Sequence, residues 1–227
     1  MKSESEITDF FDTTGYISPR RKTTHNILPP LGFERKSPYK PAHPGKFGGL
    51  GAYRHIRLEQ SKEVFSSLLE IIADKGPETV VEIGTFRGGS LYMWSRALKA
   101  PKKIISVDIA YNKMDRLFKN FSDEKTLHLV EGDSQNQSTE QRISDMLGDD
   151  QIDFLFLDGD HSYEGIKNDF EIYEPYVSDT GLIAIDDIAN ENCGVPKFWR
   201  EISSRYDTKV IEDGSSSIGV VYAANNS

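Results

Sequence analysis

Two short apolar runs in this chain of 227 residues each end in acid. Ile152-Asp153-Phe154-Leu155-Phe156-Leu157 runs into Asp158-Gly159-Asp160-His161, and Leu182-Ile183-Ala184-Ile185 runs into Asp186-Asp187. A stretch of helical period lies between them, so the unit reads strand, helix, strand. Such a crossover makes the two strands parallel neighbours and sets their C-terminal ends side by side. Carboxylates brought that close repel unless a cation or a proton intervenes. With a histidine beside them, these residue types point to a divalent metal site with a general base at its edge.

A second candidate site is Glu82-Ile83-Gly84-Thr85-Phe86-Arg87-Gly88-Gly89-Ser90, placed where a strand turns into a helix. Glycines there let a ligand approach the backbone, and the helix start offers free N–H groups. Three residues separate Gly84 from Gly88, so the dinucleotide pattern G-x-G-x-x-G is absent and a nicotinamide dehydrogenase is disfavoured. No Lys-Ser or Lys-Thr follows, which excludes a Walker loop. Glu82, two positions before the first glycine, suits a ligand carrying an ammonium group, as the methionine part of S-adenosylmethionine does. Asp108 ends the following strand and could hold two ribose hydroxyls. Gly132-Asp133-Ser134-Gln135 follows the third strand and could meet an adenine edge.

The elements that would carry these residues alternate. Strands are expected at 79–83, 103–107, 126–130, 152–157 and 182–185, and helices over 58–72, 91–98, 112–121, 137–147, 163–177 and 195–205. The runs 209–211 and 218–222 flank Asp213-Gly214-Ser215-Ser216 and read as an antiparallel hairpin. This pattern predicts an α/β, Rossmann-like, doubly wound and mostly parallel seven-stranded sheet with a C-terminal antiparallel hairpin. Residues 1–50 differ: they hold Pro19, Pro29, Pro30, Pro38, Pro41 and Pro44 and keep no period. They are expected to form an irregular arm or lid, hinged near Gly45–Gly51, with residues 51–227 as the S-adenosylmethionine-binding domain. The arm makes a homo-oligomer an open expectation.

Composition narrows the classes. A net charge of −9 argues against nucleic-acid binding, which needs a basic face. Cys193 is the one cysteine, so an internal disulfide is impossible, which fits a reducing compartment. No apolar run approaches the length of a membrane span, and no signal-peptide stretch opens the sequence. A cytoplasmic protein without nucleic-acid or membrane partners is therefore expected.

With those motifs in place, the chain resembles class I S-adenosylmethionine-dependent methyltransferases. It is most similar to the metal-dependent O-methyltransferases of small molecules, in the group of cephalosporin-hydroxylase-like proteins and macrolide-sugar O-methyltransferases. The resemblance spans about residues 58–223 and rests on Glu82 to Ser90, on Phe156-Leu157-Asp158-Gly159-Asp160-His161-Ser162-Tyr163-Glu164 and on Ile185-Asp186-Asp187. It implies cofactor contacts at Glu82, Gly84, Thr85, Phe86, Gly88, Ser90, Asp108, Asp133, Ser134 and Asp158. It implies Mg²⁺ or another divalent cation on Asp158, Asp186 and Asp187, the last an asparagine in catechol-type relatives. His161 stands where those relatives carry a basic residue, so His161 and Asp158 are the expected catalytic residues. The implied reaction is methyl transfer to a hydroxyl of a sugar or other polyhydroxylated small molecule, with His161, at an ordinary pKa of about 6.5, taking the proton.

Other roles stay open at this stage. Asp158 could cap the helix that starts near Ser162, Asp186-Asp187 could be a solvated pair, and His161 could only orient a carboxylate. Cys193 could be a catalytic thiol. The whole could also be a metal-independent methyltransferase or a noncatalytic S-adenosylmethionine-binding module.

Overall fold

The computed structural model describes residues 56, 58–98, 101–111, 114–119, 121–122 and 126–223. The arm expected at 1–50 and its glycine hinge lie outside these residues, as does the oligomer contact suggested for it.

Helix α1, Lys62–Lys75, starts at Ser61, whose hydroxyl accepts the N–H of Val64, and stops at Gly76 in the left-handed conformation. Both ends follow capping chemistry visible in the sequence. Its buried stripe is Val64, Phe65, Leu68, Leu69 and Ile72. Leu58 shares that burial but precedes the helix.

Strand β1, Thr79–Ile83, is buried throughout. Then come helix α2 (Gly89–Ala97), strand β2 (Lys103–Asp108), helix α3 (Asp115–Phe118) and strand β3 (Leu127–Glu131). Helix α4 (Gln137–Leu147) and strand β4 (Ile152–Leu157) have the expected bounds. The helix expected over 112–121 reduces to α3 among the described residues. The period from Tyr163 also stops early. Helix α5 covers Tyr163–Tyr173, and Pro175 sits in a 3-10 turn, Glu174–Tyr176. Proline cannot supply the N–H that would continue the helix. Val177 instead opens strand β5, Val177–Asp186. Helix α6 (Val195–Ile202) and strands β6 (Asp207–Glu212) and β7 (Ser217–Tyr222) follow.

The seven strands form one sheet in the order β3-β2-β1-β4-β5-β7-β6. β1 to β5 run parallel, and β7 pairs antiparallel with both β5 and β6. The expected doubly wound architecture with a closing hairpin is the observed one.

The apolar run of β4 is continuous because both of its faces are covered. Phe154 and Phe156 join the core beneath α1 and α2, where Trp94 stacks on Phe65 with ring centroids 4.9 Å apart. Leu155 and Leu157 join the opposite core with Ile143, Ile166, Phe170 and Phe198 from α4, α5 and α6. The register pairs Ile83 with Leu157 and Leu157 with Ile185. The residues that come next, Gly84, Asp158 and Asp186, therefore stand in a row along one rim of the sheet. Ile218 of β7 pairs with Asp186, which brings the hairpin tip to the same rim.

Candidate active site

The row of strand ends forms the floor of a cavity of about 700 Å³. Gly84 has φ +88°, and a side chain there would collide with the Asp158 carbonyl. Only glycine lets β1 and β4 close up at this point. The closure is held by the Asp158 N–H donating to the Ile83 carbonyl at 2.8 Å.

The acids are joined in a chain by two donors. Gln60 Nε2 donates to Asp186 Oδ2 at 2.6 Å and to Asp158 Oδ2 at 3.2 Å. His161 Nε2 lies 3.0 Å from Asp158 Oδ1, and His161 Nδ1 lies 3.0 Å from Asp187 Oδ2. Asp187 adopts φ +60°, one of the few places where a non-glycine residue does so in this chain. Aspartate tolerates that conformation better than most side chains. Its N–H donates to the Ser217 carbonyl at 2.9 Å, and its Oδ2 accepts from Asn190 Nδ2 at 3.1 Å. Asp186 Oδ1 is buried and has no hydrogen-bond partner among the described residues.

Burial pushes Asp186 well above the ordinary carboxylate range, and the charges of Asp158 and Asp187 add to this. Burial also raises Asp158, against the opposing pull of His161. The hydrogen bonds that His161 makes to the Asp158 and then the Asp187 carboxylate push its pKa up to about 11. A protonated His161 and a protonated Asp158 do not go together. One ring lies between two carboxylates, which favours its charged form, while burial favours the neutral form of Asp186. The surroundings of His161 therefore differ from those of the ordinary imidazole that was expected. Nor does Asp158 cap α5. Ser162 does so by accepting the Gly165 N–H at 3.0 Å.

The oxygen donors and the orphaned Asp186 Oδ1 suit a hard cation such as Mg²⁺. Gln60 and His161 occupy only part of the acceptor capacity of Asp158, Asp186 and Asp187, which leaves oxygen lone pairs that a cation could take.

The glycine loop divides into lining and support. Gly84, Phe86, Asp108, Asp133 and Ser134 line the cavity with Asp158, His161, Asp186 and Asp187. Glu82, Thr85, Gly88 and Ser90, expected at the cofactor, are not in that lining. Glu82 points into the core, accepting from Trp94 Nε1 at 2.9 Å and from Ser106 Oγ at 3.3 Å, and burial pushes it up to about 8. Thr85 is buried and its hydroxyl pairs with Ser106. Gly88 caps α2 beside the Phe118 ring, and Ser90 bonds to Glu82. The sequence placed all four correctly at the strand-to-helix turn but could not say which side of it they face.

Asp108 organises the loop itself. Its Oδ2 accepts the N–H groups of Thr85 and Phe86 at 2.9 and 2.7 Å, and its Oδ1 accepts that of Ala110 at 2.9 Å. A carboxylate has about four acceptor directions, so one remains for a ligand hydroxyl. Ser134 donates to Asp169 Oδ1 at 2.6 Å, and Tyr173 OH donates to the Ser134 carbonyl at 2.6 Å.

Sequence reasoning missed Gln60, Ile109, Ser215 and Ser216 in the lining, and Asp169 beneath it. Gln60 belongs to no motif and carried no signal. Asp169 did, as an acid inside the apolar stripe of α5. Ile109 is 75% exposed and Phe86 63%, so the cavity mouth is apolar where its floor is acidic.

Comparison with known proteins bears on the fold. Residues 81–188 match the family model described as a methyltransferase domain. An uncharacterized protein of Acanthamoeba polyphaga mimivirus is 35% identical over 123 residues, covering 50% of this chain and 53% of that protein. The chain thus spans about half the length of this curated relative. CalS11, a TDP-rhamnose 3'-O-methyltransferase of calicheamicin biosynthesis, superposes with a TM-score of 0.57 at 16% identity, covering 71% of this chain and 79% of that one. MycE, a methyltransferase of mycinamycin biosynthesis solved with Mg, S-adenosylhomocysteine and mycinamycin VI, superposes with a TM-score of 0.55 at 18% identity, covering 71% and 49%. Among the described residues no helix is long and apolar enough to cross a membrane.

Proposed function

We propose that this chain, which matches a methyltransferase-domain model over residues 81–188, transfers the methyl group of S-adenosylmethionine to a hydroxyl of a sugar or other polyhydroxylated small molecule, assisted by Mg²⁺ or another divalent cation. One observation carries the reading: a single cavity is lined both by Gly84 and Phe86 of the glycine loop with Asp108 at the end of β2, and by Asp158, His161, Asp186 and Asp187. A methyl donor on one side and an acceptor hydroxyl on the other would meet there, and holding them in line supplies much of the rate.

In this reading the free acceptor direction of Asp108 takes a ribose hydroxyl, and Asp133 and Ser134 face the adenine. Asp158, Asp186 and Asp187 would hold the divalent cation, which when bound lowers the pKa of a hydroxyl it touches. His161 owes its raised pKa to Asp158 and Asp187. Once those carboxylates are engaged elsewhere, the ring returns toward its ordinary range and can accept the hydroxyl proton. Gln60, Ser215 and Ser216 add polar groups to the lining, which suits an acceptor with several hydroxyls. The acceptors named for CalS11 and MycE lend support as analogies.

A second reading, methyl transfer without metal, is favoured by Gln60 and His161, which already satisfy most of the acid oxygens. The deciding experiment is S-adenosylhomocysteine release from purified protein against a panel of sugars and sugar nucleotides, before and after chelation. Activity abolished by EDTA and restored by Mg²⁺ supports the first reading. Activity that survives chelation and dialysis supports the second. If calorimetry shows no S-adenosylmethionine binding, both are rejected.

A further inference from the structure

We propose that His161, Asp187 and Cys193 form a site for a thiophilic divalent cation such as Zn²⁺, sharing Asp187 with the row of acids but differing from it in donor chemistry. Each of the three offers one donor atom, all within 4.8 Å of one another, and each residue is half-buried. Imidazole nitrogen, carboxylate oxygen and thiolate sulfur are the three donor types that zinc takes, whereas Mg²⁺ takes oxygen. Half-burial leaves a path for entry and a fourth position for water.

The backbone builds this cluster. Asn190 N donates to the Asp187 carbonyl and Cys193 N to the Asn190 carbonyl, both at 3.1 Å. Gly194 N then donates to the His161 carbonyl at 2.8 Å. Gly194 lies so close to the Tyr163 backbone that a side chain there would collide with it. The loop after β5 is thereby pinned to the turn before α5, and Cys193 is delivered to the ring of His161. The thiol has a weak partner to give up, the Asn190 carbonyl at 3.2 Å. On binding, the thiol proton passes to solvent, as it does for coordinating thiols generally. The ion would also withdraw a nitrogen or a carboxylate from the His161–Asp187 contact.

The test uses metal-free full-length protein titrated with Co²⁺ and followed by absorbance. Because Cys193 is the only cysteine in the chain, any thiolate-to-cobalt band in the near ultraviolet reports this residue directly. The expected result is a band that saturates at one equivalent, disappears on adding Zn²⁺, persists in a hundredfold excess of Mg²⁺ and is absent in Cys193→Ser. Asp187→Asn should weaken Co²⁺ binding at least tenfold. Zn²⁺ should also slow alkylation of Cys193 in the wild-type protein at least tenfold, a readout that needs no variant to fold. Absence of the band, or alkylation unaffected by Zn²⁺, overturns the site. Because His161 and Asp187 also belong to the proposed methyl-transfer site, that activity is assayed separately with Mg²⁺ and without Zn²⁺, so failure of one proposal is distinguishable from failure of the other.

Discussion

Gln60 Nε2 lies 2.6 Å from Asp186 Oδ2, a buried hydrogen bond between positions 126 apart in the chain. It ties the segment before α1 to the tip of β5. It also gives a buried acid a partner on Oδ2, whereas Asp186 Oδ1 has none among the described residues. Gln60→Leu should therefore lower unfolding free energy by about 1–3 kcal/mol, the cost of leaving a buried polar group unpaired. Urea denaturation with an unchanged m-value would show this. A variant as stable as wild type would mean that the amide contributes nothing to holding the acid.

His161 carries a pH signature. Its folded pKa of about 11 lies above its ordinary 6.5. The contribution of its ion pairs to stability is then fully present below about 6.5 and is lost as pH rises through about 11. The stability difference between wild type and His161→Ala should shrink steadily across that window. Chemical denaturation at several pH values measures it, and a difference that stays constant from pH 7 to 11 would contradict the double ion pair.

The same substitution separates chemistry from binding. Without the ring, kcat should fall by about 10² to 10⁴, the usual range for losing a general base. The Kd for S-adenosylmethionine should change little, because Gly84, Phe86 and Asp108, the residues proposed to meet the cofactor, are untouched. Equal turnover in the variant would remove His161 from the mechanism.

Glu82 titrates in the other accessible window. Its folded pKa of about 8 exceeds the ordinary 4.5, so the neutral carboxyl contributes stability that is complete below 4.5 and is lost as pH rises through 8. Glu82→Gln keeps an oxygen for Trp94 Nε1 but cannot ionise. It should gain on wild type as pH increases across that range and flatten the profile. Parallel profiles for the two proteins would show that Glu82 does not titrate with folding.

The sequence showed the fold more fully than the site. Strand ends were legible because each apolar run stops at an acid or a glycine, and α1 because Ser61 and Gly76 mark its limits. Helix α5 was overrun because Val177 continues its spacing by chance, and only Pro175 betrays the stop. Asp158, Asp186 and Asp187 could be placed near one another from strand register alone. What they bond to could not, since Gln60 arrives from nearly a hundred positions away and has no periodic or motif signal. Glu82 was assigned to the ligand because the motif gives its position on β1, whereas its direction depends on Trp94 and Ser106 in other elements.

The antiparallel insertion of β7 between β5 and β6 has a consequence for assembly of the cavity. Ser217 on β7 holds the Asp187 N–H with its carbonyl and the Ala189 N–H with its hydroxyl, and Ser215 and Ser216 supply the adjoining wall. A nascent chain that has emerged only through Asp187 already has the glycine loop and all three acids, yet lacks the Ser217 carbonyl that accepts the Asp187 N–H. The acid row and the wall formed by Ser215 and Ser216 are thus complete only after the final hairpin docks.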